Sequence, residues 1–122
     1  MLRLSLAAAA FAVVLAGCSH GPQPPGDVGV CYHLAAFEAG RPKFNVVARN
    51  VPDLEHCAAQ LEAMRLRFLR FGVGQEDITG AYQGAFLFLG PQGVFTSQSY
   101  DGAQYPFLVR TPDGRLVPPG SQ

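Results

Sequence analysis

The sequence predicts an α+β domain, a mostly antiparallel sheet of about five strands with one long helix packed on one face. Three observations predict it. Stretches on both sides of residues 52–71 carry the period-two apolar alternation or the β-branched and aromatic richness of strands. Only Pro52 to Phe71 carries the helical period of 3.6. The breaks between strands are short and rich in Gly, Pro and Asp, which suits tight turns between antiparallel neighbours. No repeat and no second domain is visible.

Taken in order, the chain opens with one positive charge, Arg3, followed by the apolar run Leu4 to Leu15. Charge, apolar core and then small residues is the order of a secretory signal peptide. The run has about 12 residues, against the roughly 20 that a bilayer-spanning helix needs. It ends in Leu15-Ala16-Gly17-Cys18.

That ending resembles the lipobox of bacterial lipoproteins. The resemblance implies a thioether-linked diacylglycerol on Cys18, cleavage of residues 1–17 and acylation of the new amino terminus. The alternative is an ordinary cleaved signal with a chance cysteine. In enteric-type lipoproteins a serine after the lipid-bearing cysteine permits export outward, so Ser19 implies the outer membrane rather than the inner one. The resemblance covers residues 1–18 only and names no activity for the domain.

Residues 18–27 read as a flexible tether, because Ser19 to Asp27 has no apolar side chain beyond its prolines. His20 lies in this stretch, and a lone histidine there makes no metal tract. The domain spans 28–117. Val28 to Ala35 alternates as a first strand and Lys43 to Arg49 as a second, with Gly40-Arg41-Pro42 between them.

Pro52 to Phe71 reads as the helix. Asp53 and Glu55 suit its positive start; Arg65, Arg67 and Arg70 suit its negative end; Gly72 suits a left-handed stop. At roughly 100° per residue, Leu54, Cys57, Ala58, Leu61, Met64 and Phe68 form one apolar stripe, with Leu69 and Phe71 on its margins. Two residues disobey the pattern. Arg65 falls inside the stripe, where its guanidinium is expected to snorkel past the core edge, and Leu66 falls near the polar side.

Ile78 to Leu89 reads as one bent strand or two short ones, with glycine at a bulge or close approach. Val94–Ser99, Gln104–Arg110 and Arg115–Val117 come next, separated by the turn signals Gly90–Gly93, Asp101-Gly102 and Thr111–Gly114. Residues 118–122 should form a disordered tail.

Composition limits function. Once Arg3 is cleaved away, eight basic side chains face nine acidic ones. So near-neutral a domain lacks the basic surface of a nucleic-acid binder. About a hundred mature residues allow one core. Of the three cysteines, lipidation takes Cys18 and leaves the even pair Cys31 and Cys57 in an oxidising compartment, where a disulfide is expected. Cys31-x-His33 and His56-Cys57 also offer zinc-type ligands. The helix turns His56 about 100° away from Cys57, which favours the disulfide over a metal.

No nucleophile elbow, phosphate loop or dinucleotide fingerprint is present, so neither a catalytic residue nor a cofactor is assigned. Glu76 and Asp77 are the one adjacent carboxylate pair. Tyr82, Phe86, Phe88, Phe95, Tyr100, Tyr105 and Phe107 make the second half aromatic and suggest core, with a partly exposed binding patch as the alternative. Arg65, Leu66, Arg67 and Arg70 form a candidate binding surface. The expected function is a small, non-enzymatic binding or assembly module, held to the membrane through lipid on Cys18 and facing the periplasm. Its expected partner is another envelope protein. The alternatives are a small periplasmic hydrolase or glycan-acting enzyme using Glu76 or Asp77, and an inhibitor of a periplasmic enzyme.

Overall fold

Antiparallel pairing follows the chain almost step by step. The computed structural model describes residues 21–72 and 77–121. Cys18, Ser19, His20 and Glu76 lie outside them. Seven strands form one sheet: β1 (Cys31–Glu38), β2 (Arg41–Ala48), β3 (Ile78–Tyr82), β4 (Ala85–Gly90), β5 (Gly93–Ser97), β6 (Tyr105–Arg110) and β7 (Leu116–Val117). Their order is β2-β1-β3-β4-β5-β6-β7, with every neighbour antiparallel. One helix, α1 (Leu54–Arg70), interrupts the series between β2 and β3.

The expected fold class holds, with more strands than the five or so anticipated. The Ile78–Leu89 run is two strands. Gln83 and Gly84 turn at φ 44° and 84°, the left-handed pair that a two-residue hairpin uses, so β3 folds back directly onto β4. The Arg115–Val117 stretch forms the short β7. β2 is an edge strand, and so accommodates Pro42, which cannot donate to a ladder.

α1 starts where Asp53 accepts the His56 N–H at 2.8 Å and stops at Gly72, φ 67°. It packs on one face of the sheet. Cys57, Ala58 and Leu61 meet Cys31, Ile78, Tyr82, Leu87, Leu89 and Val94 in the main core, with Leu54, Met64 and Phe68 at its margin. Gly80 explains the closeness of this contact. A Cβ there would lie 2.3 Å from Leu61 Cδ1 and 2.6 Å from the Tyr32 carbonyl oxygen.

On the opposite face Tyr32, Phe44, Phe86 and Phe88 form a second apolar layer, roofed by Tyr100 from the β5–β6 connection. Tyr100 lies 5.8 Å from Phe86 and 6.1 Å from Phe88, ring to ring. Phe86 is fully buried there. Both faces of the first half of β1 are therefore covered, which is why Cys31 can look toward α1 while Tyr32 and Leu34 look the other way.

Candidate functional site

The structure divides the candidate binding residues between interior and surface. Arg65 does not snorkel. It is buried, and its Nη1 donates to Glu62 Oε1 at 3.0 Å. The other oxygen, Glu62 Oε2, accepts from Arg110 Nη2 at 2.8 Å. Arg110 donates further to the carbonyls of Gly90, Pro91 and Gly114 at 3.0–3.2 Å. A carboxylate with two guanidiniums thus ties α1 to the β4–β5 and β6–β7 turns. Sequence pattern does not single out Glu62, because its partner Arg110 is 48 residues away. Arg65 belongs to this internal network rather than to a binding surface.

Leu66, Arg67 and Arg70 are exposed, and two further apolar side chains join them. Leu69 is exposed, and Phe71, at the C-cap, is 75% accessible. Residues three and four apart share a helix face, so Leu66 lies beside Leu69 and Arg70, and Arg67 beside Phe71. Around the helix the order is Leu69, Leu66, Arg70, Arg67 and Phe71, so large apolar groups at the wet end of the helix flank two cations and form an amphipathic patch. The available signal was Leu66 near the polar side, with Leu69 and Phe71 only at the margins of the apolar stripe.

Its position follows from the helix direction. Cys57 lies beside Cys31, which pairs with Tyr82 next to the β3–β4 turn. Glu62 and Arg65 have reached the level of the β4–β5 turn through Arg110. The last turn of α1 continues in that direction, with Phe68 still packed beside His33, so the patch lies toward the end of the sheet opposite the β3–β4 turn.

Cys31 and Cys57 form a disulfide with Cα atoms 5.3 Å apart. His56 does not join them; its Nδ1 lies 2.7 Å from Asp53 Oδ1. These hydrogen bonds from His56, backbone first, hold the Asp53 carboxyl below its usual range. His33 packs its ring 5.9 Å from that of Phe68, and burial lowers its pKa.

The aromatic residues also divide. Tyr82 belongs to the core beneath α1, donating its hydroxyl to the Val51 carbonyl at 2.6 Å, and Phe107 packs at that core's edge. Phe88 and Phe95 pair across strands on the opposite face and floor a groove of about 440 Å³, rimmed by Asp77, Thr79, Gln92 and Gln104.

Asp77 and His33 both border a smaller cleft of about 210 Å³, opened where β1 parts from β3 after His33. They approach it from opposite faces. His33 pairs with Gly80, against which Leu61 of α1 packs, whereas Asp77 lies over Gly90, which follows Phe86 and Phe88 on the far face. This arrangement provides no carboxylate–histidine dyad. Glu76, the other carboxylate considered, lies outside the described residues.

Comparison with protein families, curated proteins and solved structures finds no match to this chain.

Proposed function

We propose that this chain is a lipid-anchored envelope protein whose domain is a binding module. Acyl groups on Cys18 hold it to a bacterial membrane, the outer one by the sense of Ser19, and the end of α1 engages another envelope protein. The exposed surface on which Leu66 and Leu69 on one side and Phe71 on the other flank Arg67 and Arg70 carries the reading. Apolar side chains exposed on either side of cations suit a partner surface that is acidic at its centre and apolar to each side. The disulfide and the Glu62 network stiffen the helix that presents it. Acylation suits a near-neutral domain, because basic electrostatics are not needed for attachment.

The test is photo-crosslinking in cells that export the full-length chain, with the reactive group at Leu66 or Phe71 and, as reference, at Gln60 in the middle of α1. A discrete adduct from the two patch positions, lost when Arg67 and Arg70 become glutamate, supports the reading. Equal yields from Gln60, or an adduct indifferent to charge reversal, contradict it.

A further inference from the structure

We infer that the domain rests on its membrane in a fixed orientation, with the β3–β4 turn end against the bilayer and the helix-terminal patch pointing away. This inference rests on lipidation of Cys18. The described part of the stretch expected to be a tether, and Gly29 just after it, are fastened to the domain. Gly29 N–H donates to Gln83 Oε1 at 2.8 Å, and Gly84 N–H to the Pro25 carbonyl at 3.0 Å. The Tyr32 hydroxyl donates to the Asp27 carboxylate. At the start of the described chain, a Cβ on Gly21 would lie 3.6 Å from Asp101 Oδ2 in the β5–β6 connection. The contacts of Pro25 and Gly29 lie at the β3–β4 turn, and the β5–β6 connection that Gly21 approaches leaves the sheet from Ser97 at the same end.

From Gly21 to Cys18 is three residues, at most about 10 Å of extended chain. The opposite end, with the β4–β5 turn and the tip of α1, is farther by the length of β4, roughly 20 Å for its strand rise. An anchor so short, leaving from a fastened strut, cannot bring the far end down to the lipid while the strut holds. The near end also carries exposed apolar side chains suited to the interface. Val28 is 88% accessible and Tyr105, opposite Thr96 on β5, is 64%. A tyrosine at headgroup depth keeps its ring in apolar surroundings and its hydroxyl wet. Asp27 and Asp101 offer anionic headgroups no attraction, so contact follows from the anchor and not from charge.

The chain contains no tryptophan, so single substitutions report without background. Val28→Trp, Tyr105→Trp and Phe71→Trp all replace exposed side chains and leave both cores intact. Each full-length variant, purified from membranes, is placed in phosphatidylcholine vesicles brominated on the acyl chains near the headgroup. The intact mass of each sample shows whether Cys18 is acylated. The expected result is indole quenching severalfold stronger in the Val28→Trp and Tyr105→Trp proteins than in the Phe71→Trp protein. When Cys18→Ala is added to each variant and the protein is mixed with the same vesicles, no quenching is expected. Acylated Phe71→Trp protein quenched as strongly as the other two, or no quenching in any acylated variant, overturns the orientation alone. A mature chain without acyl groups removes the anchor, and the orientation falls with it.

Discussion

Arg110 Nη2 lies 2.8 Å from Glu62 Oε2, joining the last residue of β6 to the middle of α1 where both side chains are largely shielded from water. Glu62 is also the partner of Arg65, so one carboxylate serves two shielded guanidiniums. Removing one side of a buried pair costs more than the pair contributes, because the remaining charge stays desolvated. Glu62→Ala should therefore destabilise the domain by about 3–5 kcal/mol, read as a lowered denaturation midpoint with unchanged slope. Glu62→Gln, which keeps one acceptor oxygen, should lose less. Arg110→Lys should also be costly, since an ammonium cannot span the carboxylate and three carbonyls that the guanidinium fork reaches.

The contact between α1 and β3 gives a steric prediction. Leu61 packs onto the bare backbone of Gly80, with the Tyr32 carbonyl on the other side. The leucine can rotate; the carbonyl, fixed in the β1–β3 pairing, cannot. Gly80→Ala should cost about 1–3 kcal/mol, in the range of overpacked cores. Gly40→Ala, where no atom lies within 4 Å of the new methyl, tests only the strain of its positive φ. A Gly80→Ala protein as stable as the parent would show that the helix is not seated on that glycine.

The disulfide closes the segment from β1 to α1. In the chain-entropy account a loop of about 27 residues gives roughly 3.5 kcal/mol. Reduction, or Cys57→Ser, should lower stability by that order, measured by denaturation in oxidising and reducing buffer. His56→Ala should stay near the ~0.5 kcal/mol of ordinary surface changes, because the backbone N–H that Asp53 caps remains. A loss at His56 equal to that at Cys57, or sensitivity to a chelator, would return the site to a metal.

His33 predicts a pH dependence. Burial disfavours its charged form, so its folded pKa lies below the ordinary 6.5. The unfolded chain then takes up the proton first as pH falls, and stability from this group, complete above about 6.5, is lost through the lowered folded pKa. Melting temperature should decline between pH 8 and pH 5, and His33→Gln should decline less over the same window. Identical curves would place the titration elsewhere.

Much of this fold was legible because local signals coincided. Asp53, Arg67, Arg70 and Gly72 marked the helix ends, and Cys57, Ala58 and Leu61 marked its buried stripe. The turn dipeptides separated most of the strands. What stayed illegible depended on distance in the chain. Arg65 looked like a misplaced surface charge because nothing nearby announces Arg110, whose guanidinium shares the carboxylate of Glu62. Gln83-Gly84 is a weaker hairpin signal than Asn-Gly, so the sequence left one bent strand and two short ones equally open for β3 and β4. The patch was half visible: Leu66, Arg67 and Arg70 stood out, whereas Leu69 and Phe71 looked like stripe margins until their exposure was seen. Phe86, the buried centre of the second layer, gave no hint of its Tyr100 roof, since a loop residue's packing leaves no periodic trace.

The lipid anchor underlies both the proposed function and the orientation, and the mass of the mature protein extracted from membranes tests it directly. The predicted result is a chain beginning at Cys18, heavier than its residues by a diacylglycerol and an amide-linked acyl group, and missing from membranes of a Cys18→Ala strain. A mature protein that begins at another residue, or that carries an unmodified Cys18, would contradict it.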